Sequence, residues 1–511
     1  MAAYFIGVDS GTQSTKALLI DESGRVLGRG QESHELIPGL GPGHMEQEPT
    51  VWAEAMEHSI RAALHEAGVP GSEVVALGVS GQQHGFVPLD ADGAVIRPAK
   101  LWCDTATAPE AEAIVAAAGG LAALIARTGN GLPAGFTASK IAWLRAHEPD
   151  NYARLATVLL PHDYLNFHLT GVRRMEWGDA SGTGLLDVRT RTWAVDIAAL
   201  IDPALPGLLP PLADPAEPIG TLLPAVAARL GLSPACLVSA GGGDNMMGAI
   251  GTGNVVPGVL TVSLGTSGTV YTYSRTPVVD DEGNIAAFCD STGGWLPMLC
   301  TMNVTVATEL VKKSFGLGTV QLNAMVEAIL PGSDGLMLLP YLNGERTPNV
   351  PDGTGCWLGW REGAHTAAHF ARAAMEGTAL GLGHGLARLR ALGVAAESVR
   401  LTGGGSKSAP WRQIIADVFG CPVVCTSEPE GAALGAALQA MWAWRRESDP
   451  GASIADITAA CVAVDESTAC EPDKAAHGVY TELQAIHDQL SVALRPVFPA
   501  HRALAARLAD Q

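Results

Sequence analysis

The sequence predicts a layered α/β protein built from two related domains, and three observations predict it. Short β-rich runs alternate with longer stretches of helical spacing along most of the 511 residues. A strand that breaks at a glycine–threonine turn and returns as a second strand occurs twice, around Asp9-Ser-Gly-Thr12 and around Leu264-Gly-Thr-Ser-Gly268. The composition, 47% hydrophobic and 16% charged, supplies apolar surface for sizeable cores. At roughly 100–200 residues per domain, the length allows for two to four of them.

Taken in order, residues 4–9 alternate toward a strand that stops at the first turn. Residues 14–21 form its return strand, and 25–31 a third after Glu22-Ser-Gly24. Trp52, Met56, Ile60 and Ala63 recur at helical spacing between Thr50 as a cap and Gly68 as a stop, so 50–67 is a helix. Residues 74–80 read as a buried strand leading into Gly81-Gln-Gln-His84-Gly85. Five prolines mark 206–218 as loop. Residues 236–239 form a short strand before Gly241-Gly-Gly-Asp-Asn245, and 246–251 a helix. The second half opens with strands at 259–263 and 269–273. It continues with helices at 366–390, 408–419 and 430–445, and a strand at 398–401 between the first two. Beyond about residue 447 the pattern weakens to a helical reading at 478–494. The expected division is an N-terminal domain over 1–252, a C-terminal domain over 257–446 and a helical tail over 447–511.

The formal charge of −20 and a pI near 5.1 argue against nucleic acid or an anionic membrane as a partner. They leave room for an anionic ligand held by backbone N–H groups and a metal ion. Nine cysteines without any C-x-x-C read as packing in a reduced protein, Cys421 and Cys425 included. The first residues show no basic stretch followed by an apolar one, and no run reaches the roughly 18 apolar residues of a membrane span. The cytoplasm is the expected compartment.

Five constellations carry candidate chemistry. Asp9-Ser-Gly-Thr12 fits either a plain hairpin turn or a phosphate loop in which Asp9 holds Mg²⁺ directly or through water. Gly265-Thr-Ser-Gly268 is its counterpart, and the two loops together make a better polyphosphate grip than either alone. In Gly241-Gly-Gly-Asp-Asn245 the glycines bring backbone close to a ligand. Asp244 then suits two roles equally, helix cap or the carboxylate that phosphoryl transfer to an alcohol needs. Thr402-Gly-Gly-Gly405 lies between strand and helix, which suits a nucleotide at a helix N-terminus; it matches neither a P-loop nor G-x-G-x-x-G. Gln83, His84, Trp102, Asp104 and Asn343-Gly-Glu-Arg346 supply the aromatic and polar groups that carbohydrates need. A lone histidine is more often structural, and Glu345 and Arg346 also suit plain charge pairing.

Taken together, these residues resemble the FGGY family of carbohydrate kinases, in order over residues 4–445. Phe5-Ile-Gly-Val-Asp9-Ser-Gly-Thr12 is similar to the family's first phosphate loop, Gly78-Val-Ser-Gly-Gln-Gln-His84-Gly85 to a sugar motif, and Leu101-Trp-Cys-Asp104 to its W-x-D segment. Gly135-Phe-Thr-Ala-Ser-Lys140-Ile-Ala-Trp143 resembles the first signature. Leu160-Pro-His-Asp-Tyr164 with Leu169-Thr-Gly171, then 241–245, Leu342-Asn-Gly-Glu-Arg-Thr-Pro348, 355–376 and 402–417 follow in family order. The resemblance implies an actin-like fold, two ribonuclease-H-like domains flanking a catalytic cleft. It implies ATP with Mg²⁺, and a ketopentose acceptor converted from D-xylulose to D-xylulose 5-phosphate. It implies Asp244 as the base and Asp9 at the metal. Gln83, His84, Trp102, Asp104 and Asp244 are then expected at the sugar. Thr12, Gly265, Thr266, Gly403, Gly404, Gly405 and Ser408 are expected at the nucleotide. A homodimer is a further implication. The alternatives are a kinase of D-ribulose, L-ribulose or glycerol and, from another class, an actin-like ATPase or assembly protein.

Overall fold

The apolar runs that open each half become the middle of a sheet, because a strand buried on both faces needs unbroken apolar sequence. In the computed structural model, which describes residues 3–509, the chain divides into two compact units. The first is Met1–Val256 with Tyr273–Pro297 and Glu430–Ala463. The second is Pro257–Thr272 with Met298–Pro429 and Val464–Gln511.

In the first unit, strand Tyr4–Ser10 pairs antiparallel with Ser14–Asp21, which pairs antiparallel with Val26–Ser33. On its other side Tyr4–Ser10 runs parallel to Val74–Gly81, which runs parallel to Leu237–Val238, and Gly220–Thr221 closes that edge antiparallel. The second unit repeats this order and sense. Gly258–Leu264 pairs antiparallel with Gly268–Thr272, and the latter antiparallel with Met298–Thr301 of strand Trp295–Thr301. On the other side come Ala396–Thr402 and Val423–Thr426, both parallel, and Val464–Cys470 antiparallel at the edge. The irregularity in register also recurs, between Tyr4 and Phe5 and between Gly258 and Val259. The duplication read from two short turns therefore extends across both sheets, and each unit is ribonuclease-H-like, as in the actin-like fold.

Most expected elements are present: Pro49–Ala67, Asp244–Gly251, Ala367–Ala391, Ala409–Phe419, Gly431–Ser448 and Lys474–Leu494 are helices. The weakly patterned end contains more order than its sequence shows. It adds a helix at Ile454–Cys461 and the strand Val464–Cys470, whose Val-Asp-Glu-Ser-Thr-Ala-Cys run lacks apolar alternation because it is a half-exposed edge strand. The proline-rich stretch 206–218 holds one 3₁₀ turn, Leu205–Leu208, and the two-residue strand Leu212–Ala213. Among the described residues no single helix is long and apolar enough to cross a membrane.

The core of the first unit lies between its sheet and Pro49–Ala67, around Ile6, Val8, Leu19, Trp52, Met56, Ile60, Leu77 and Val79. Gly431–Ser448 covers the strands Tyr4–Ser10 and Val74–Gly81 at unusually short range. A Cβ on Gly7 would lie 1.9 Å from the Ala433 carbonyl oxygen, and one on Gly78 2.2 Å from that of Ala436. Only glycine permits this approach.

Candidate active site

The topology of the first unit brings three chain segments to one sheet edge. Tyr4–Ser10 and Val74–Gly81 end side by side, with Asp9 opposite Ser80. The two-residue strand Gly242–Gly243 pairs beside Ser80 and Gly81 and delivers Asp244 as the first residue of helix Asp244–Gly251. Ligands of open α/β sheets sit at such carboxyl ends of parallel strands. Ser80 Oγ donates to Asp9 Oδ1 at 2.7 Å. Asp244 Oδ1 accepts from the Asn245 backbone N–H at 2.7 Å and from Asn245 Nδ2 at 2.9 Å. Asp244 is not the cap of its helix: Gly243 holds that position and no side chain caps it. The geometry removes the capping reading of Asp244.

Electrostatics single out the same residues. Asp9 and Asp244 are both half-buried. Burial pushes Asp9 up to about 6, against the pull of the Ser80 hydrogen bond and Lys16. Burial, followed by the charges of Asp9 and Asp179, pushes Asp244 up to about 7. Asp179 is fully buried, and its Oδ2 meets His162 Nδ1 at 2.7 Å. Burial alone would lower His162, but Asp163 and Asp179 outweigh it and hold the imidazole well above its usual value. Behind them buried Glu176 accepts the N–H groups of Gly178 and Asp179 at 2.7 and 3.1 Å, and burial pushes it up to about 8. Asp9 and Asp179 thus both raise the cost of ionising Asp244. The half-buried carboxylate of Asp9 is an oxygen donor of the kind a hard divalent cation takes.

The sugar-motif residues lie against this group. Gln83 is 4% exposed and occupies the space a Cβ on Gly243 would fill. It accepts from Asn245 Nδ2 at 2.7 Å and donates to Met246 Sδ at 3.2 Å. His84 stacks its ring on Phe136 at 4.6 Å, near Phe288 at 5.7 Å. Trp102, 36% exposed, donates Nε1 to Thr12 Oγ1 at 3.1 Å, and Thr12 donates to Gln82 Oε1 at 3.0 Å. The structure therefore brings Asp9, Thr12, Gln83, His84, Trp102 and Asp244 to one region. Asp104 lies deeper. It is fully buried, accepting Lys100 Nζ at 2.9 Å, Met45 N–H at 3.0 Å and Ala106 N–H at 3.1 Å. His44, Glu46 and Asp104 are spaced like metal ligands, but the Lys100 ammonium binds all three.

In the second unit the glycine loops meet each other. Gly403 has φ 81°, and a Cβ there would lie 2.8–2.9 Å from Leu264 backbone atoms. Gly405 packs on the Leu264 side chain, so 403–405 lies against 264–268, while Gly404 faces open space. The carbonyls of Gly265 and Thr266 accept from Thr305 and Val304, each at 3.0 Å, and Thr266 is exposed. The Ser408 hydroxyl caps helix Ala409–Phe419 by accepting the Trp411 N–H at 3.4 Å, and donates to Asn323 Oδ1 at 2.9 Å. Glu345 is buried and accepts the N–H groups of Met302 and Arg346 at 2.6 and 2.8 Å, so it braces its loop instead of pairing with a cation.

Asp179 and Glu176 were not among the sequence candidates. Their signal is faint: a run of small and acidic residues with two glycines, Glu176-Trp-Gly-Asp-Ala-Ser-Gly-Thr183, without apolar periodicity. Its meaning depends on His162, which only the fold places beside it.

Comparison with known proteins gives the same picture over nearly the whole chain. Residues 4–251 match the N-terminal domain, and residues 260–444 the C-terminal domain, of the FGGY family of carbohydrate kinases. The chain is 42% identical to the xylulose kinase of Haemophilus influenzae over 446 residues, 86% of this chain and 90% of that one. It is 40% identical to that of Streptomyces coelicolor over 443 residues, 85% and 87% of the two chains. Among solved structures it is similar to the xylulose kinase of Rhodospirillum rubrum, with a TM-score of 0.89, 29% identity and coverage of 97% and 99%.

Proposed function

The chain belongs to the FGGY family of carbohydrate kinases, and from that membership we propose that it transfers the γ-phosphoryl group of ATP to the terminal hydroxyl of D-xylulose. The product is D-xylulose 5-phosphate. The observation that carries this reading is Asp244, half-buried at the sheet edge, free of any capping duty and pushed up to about 7. A carboxylate of that basicity, within reach of Gln83 and Asn245, suits removal of a proton from a bound hydroxyl near neutral pH.

Phosphoryl transfer requires positioning and charge stabilisation more than covalent help. Asp244 takes the hydroxyl proton as the oxygen attacks phosphorus. Gln83, His84 and Trp102 hold the sugar, and Asp104 supports that side through the turn it closes with Leu101. Thr12, Gly265 and Thr266 are the phosphate-holding residues of this reading. Gly403, Gly404, Gly405 and the helix start at Ser408 hold the adenosine. Asp9 would hold Mg²⁺, and the ion would supply neutralisation of phosphate charge. The match of the two family domains to 4–251 and 260–444 supports assigning sugar and base to 1–252 and nucleotide to 257–446.

The test is coupled ADP release across D-xylulose, D-ribulose, L-ribulose and glycerol, with and without Mg²⁺. D-xylulose gives the highest kcat/KM, and turnover requires the metal. A preference for glycerol or L-ribulose overturns the acceptor assignment, and ADP release independent of sugar overturns the kinase reading in favour of an actin-like ATPase.

A further inference from the structure

His84 has a backbone φ of 64°, a left-handed conformation that a non-glycine residue keeps only where its surroundings hold it. Two devices hold this one. The ring is gripped by packing: it forms a cluster of three mutually packed rings with Phe136 and Phe288, in space left by Gly182, where a Cβ would sit 2.3 Å from two ring atoms. The carbonyl oxygen is gripped by hydrogen bonds, accepting from Lys140 Nζ at 2.7 Å and Thr137 Oγ1 at 3.2 Å.

Lys140 is an unusual residue for this duty. It is fully buried on helix Thr137–His147, and its two hydrogen-bond partners are carbonyls, those of His84 and Gly135. Asp104 is near enough to favour its charge, but Lys100 already binds that carboxylate at 2.9 Å. Burial drives the Lys140 amine down to about 7. A buried ammonium held by neutral oxygens costs stability, and an apolar side chain of the same length would fill the space without that cost. The Gly135 end of the grip reaches the other sugar-side segment: a Cβ on Gly135 would lie 2.6 Å from the Trp102 carbonyl oxygen. One ammonium therefore ties the His84 loop to the turn against which Trp102 rests.

We propose that Lys140 is the positioning residue of the sugar loop: by gripping the His84 carbonyl it fixes the backbone that aims Gln83 and His84, and so sets affinity for the acceptor sugar and leaves the phosphoryl-transfer step alone. This rests on the reading of Gln83 and His84 as sugar contacts.

The experiment compares Lys140→Met, Thr137→Val, Gln83→Ala, His84→Ala and the double variant His84→Ala with Lys140→Met. Each is assayed for kcat and for KM of D-xylulose and of ATP, alongside its melting temperature. Lys140→Met raises the sugar KM about tenfold to hundredfold, as expected for losing a hydrogen bond from a charged group. It leaves ATP KM and kcat at saturating sugar within about threefold. In the His84→Ala background the same substitution has a smaller effect, because one of the two side chains it aims is gone. A sugar KM that stays at the wild-type value overturns the proposal. So does a parallel change in both KM values and kcat, which marks general loosening, or full additivity with His84→Ala. If Lys140→Met does not fold, Thr137→Val decides. It removes the weaker donor alone and raises the sugar KM severalfold, and an unchanged KM overturns the proposal. Unchanged sugar KM in both His84→Ala and Gln83→Ala removes the sugar-contact reading itself, and the proposal falls with it.

Discussion

At the scale of the residue, the proposed role of Asp244 as base ties turnover to stability through one pKa. Its folded value, about 7, lies above the ordinary carboxylate value of 3.8. The folded state therefore binds this proton more tightly than the unfolded state. That contribution to stability is full below the unfolded value and is lost as pH rises through about 7. Asp244→Asn removes the titration. The variant should melt above wild type at pH 8, and calorimetry should show the gap shrinking toward pH 4. Turnover moves the other way: kcat drops by about 10²–10⁴, the span of a lost general base, while calorimetric sugar affinity changes far less. In wild type, kcat/KM falls on the acid side with a one-proton limb that Asp244→Asn lacks. Asp9→Asn is a separate case, since raising Mg²⁺ restores part of its turnover if Asp9 orders the metal. Near-normal turnover in Asp244→Asn would remove the centre of the mechanism. Asp244 could be singled out in the sequence as a candidate because three glycines precede it, although cap and base were equal readings there. Asp179, which helps set its basicity, could not be singled out. It acts from a distant part of the chain and has no partner in the sequence to mark it.

At the scale of the element, the helix Gly431–Ser448 shows what periodicity can and cannot tell. Its alanines announced a close-packing helix, and the structure shows against what: strands Tyr4–Ser10 and Val74–Gly81, and helix Asp244–Gly251. The contact is made through glycines on both sides. A Cβ on Gly251 or on Gly435 would come within 1.8 Å of the other helix's backbone oxygens. Gln439 on the same helix accepts the Gly241 N–H at 2.8 Å and donates to the Gly241 carbonyl at 3.1 Å, so the helix also anchors the loop before Asp244. Gly7→Ala should therefore lower stability by about 3 kcal/mol, the upper part of the range for overpacking, because backbone and not a flexible side chain blocks the new methyl. Gly478→Ala is the contrasting case. It lies exposed in helix Lys474–Leu494 with no atom near its missing Cβ, so the same substitution should stabilise by about 0.5–1 kcal/mol through helix propensity. Chemical denaturation of both variants gives the comparison, and equal effects would refute the close-packing account. No pattern within Gly431–Ser448 names its partners, since glycine contacts leave no hydrophobic stripe.

At the scale of the whole molecule, the chain order and the folding units differ. Glu430–Ala463 follows the second unit's residues in sequence yet belongs to the first unit. The duplicated turns made two related sheets legible, but no local signal could show the chain returning to the first of them. This return has an energetic consequence. Leu434, Leu438, Met441 and Trp442 are all at most 5% exposed. Burying each contributes roughly 1.5–3 kcal/mol, so together they approach the whole net stability of a typical domain, about 5–15 kcal/mol. A fragment of residues 1–256 lacks them and leaves the faces of Tyr4–Ser10, Val74–Gly81 and Asp244–Gly251 uncovered. It should bind a hydrophobic dye and melt without a cooperative transition. Joining residues 430–463 to it through a flexible linker should restore a sharp calorimetric transition and lower dye binding, because loop closure costs only slowly more as the linker grows. The same fragment with Gly435→Val in the added segment should stay uncooperative, since the helix can no longer approach the backbone of Met247 and Gly251. If residues 1–256 alone melt as sharply as the linked form, the helix is an accessory to the first unit and not part of its core.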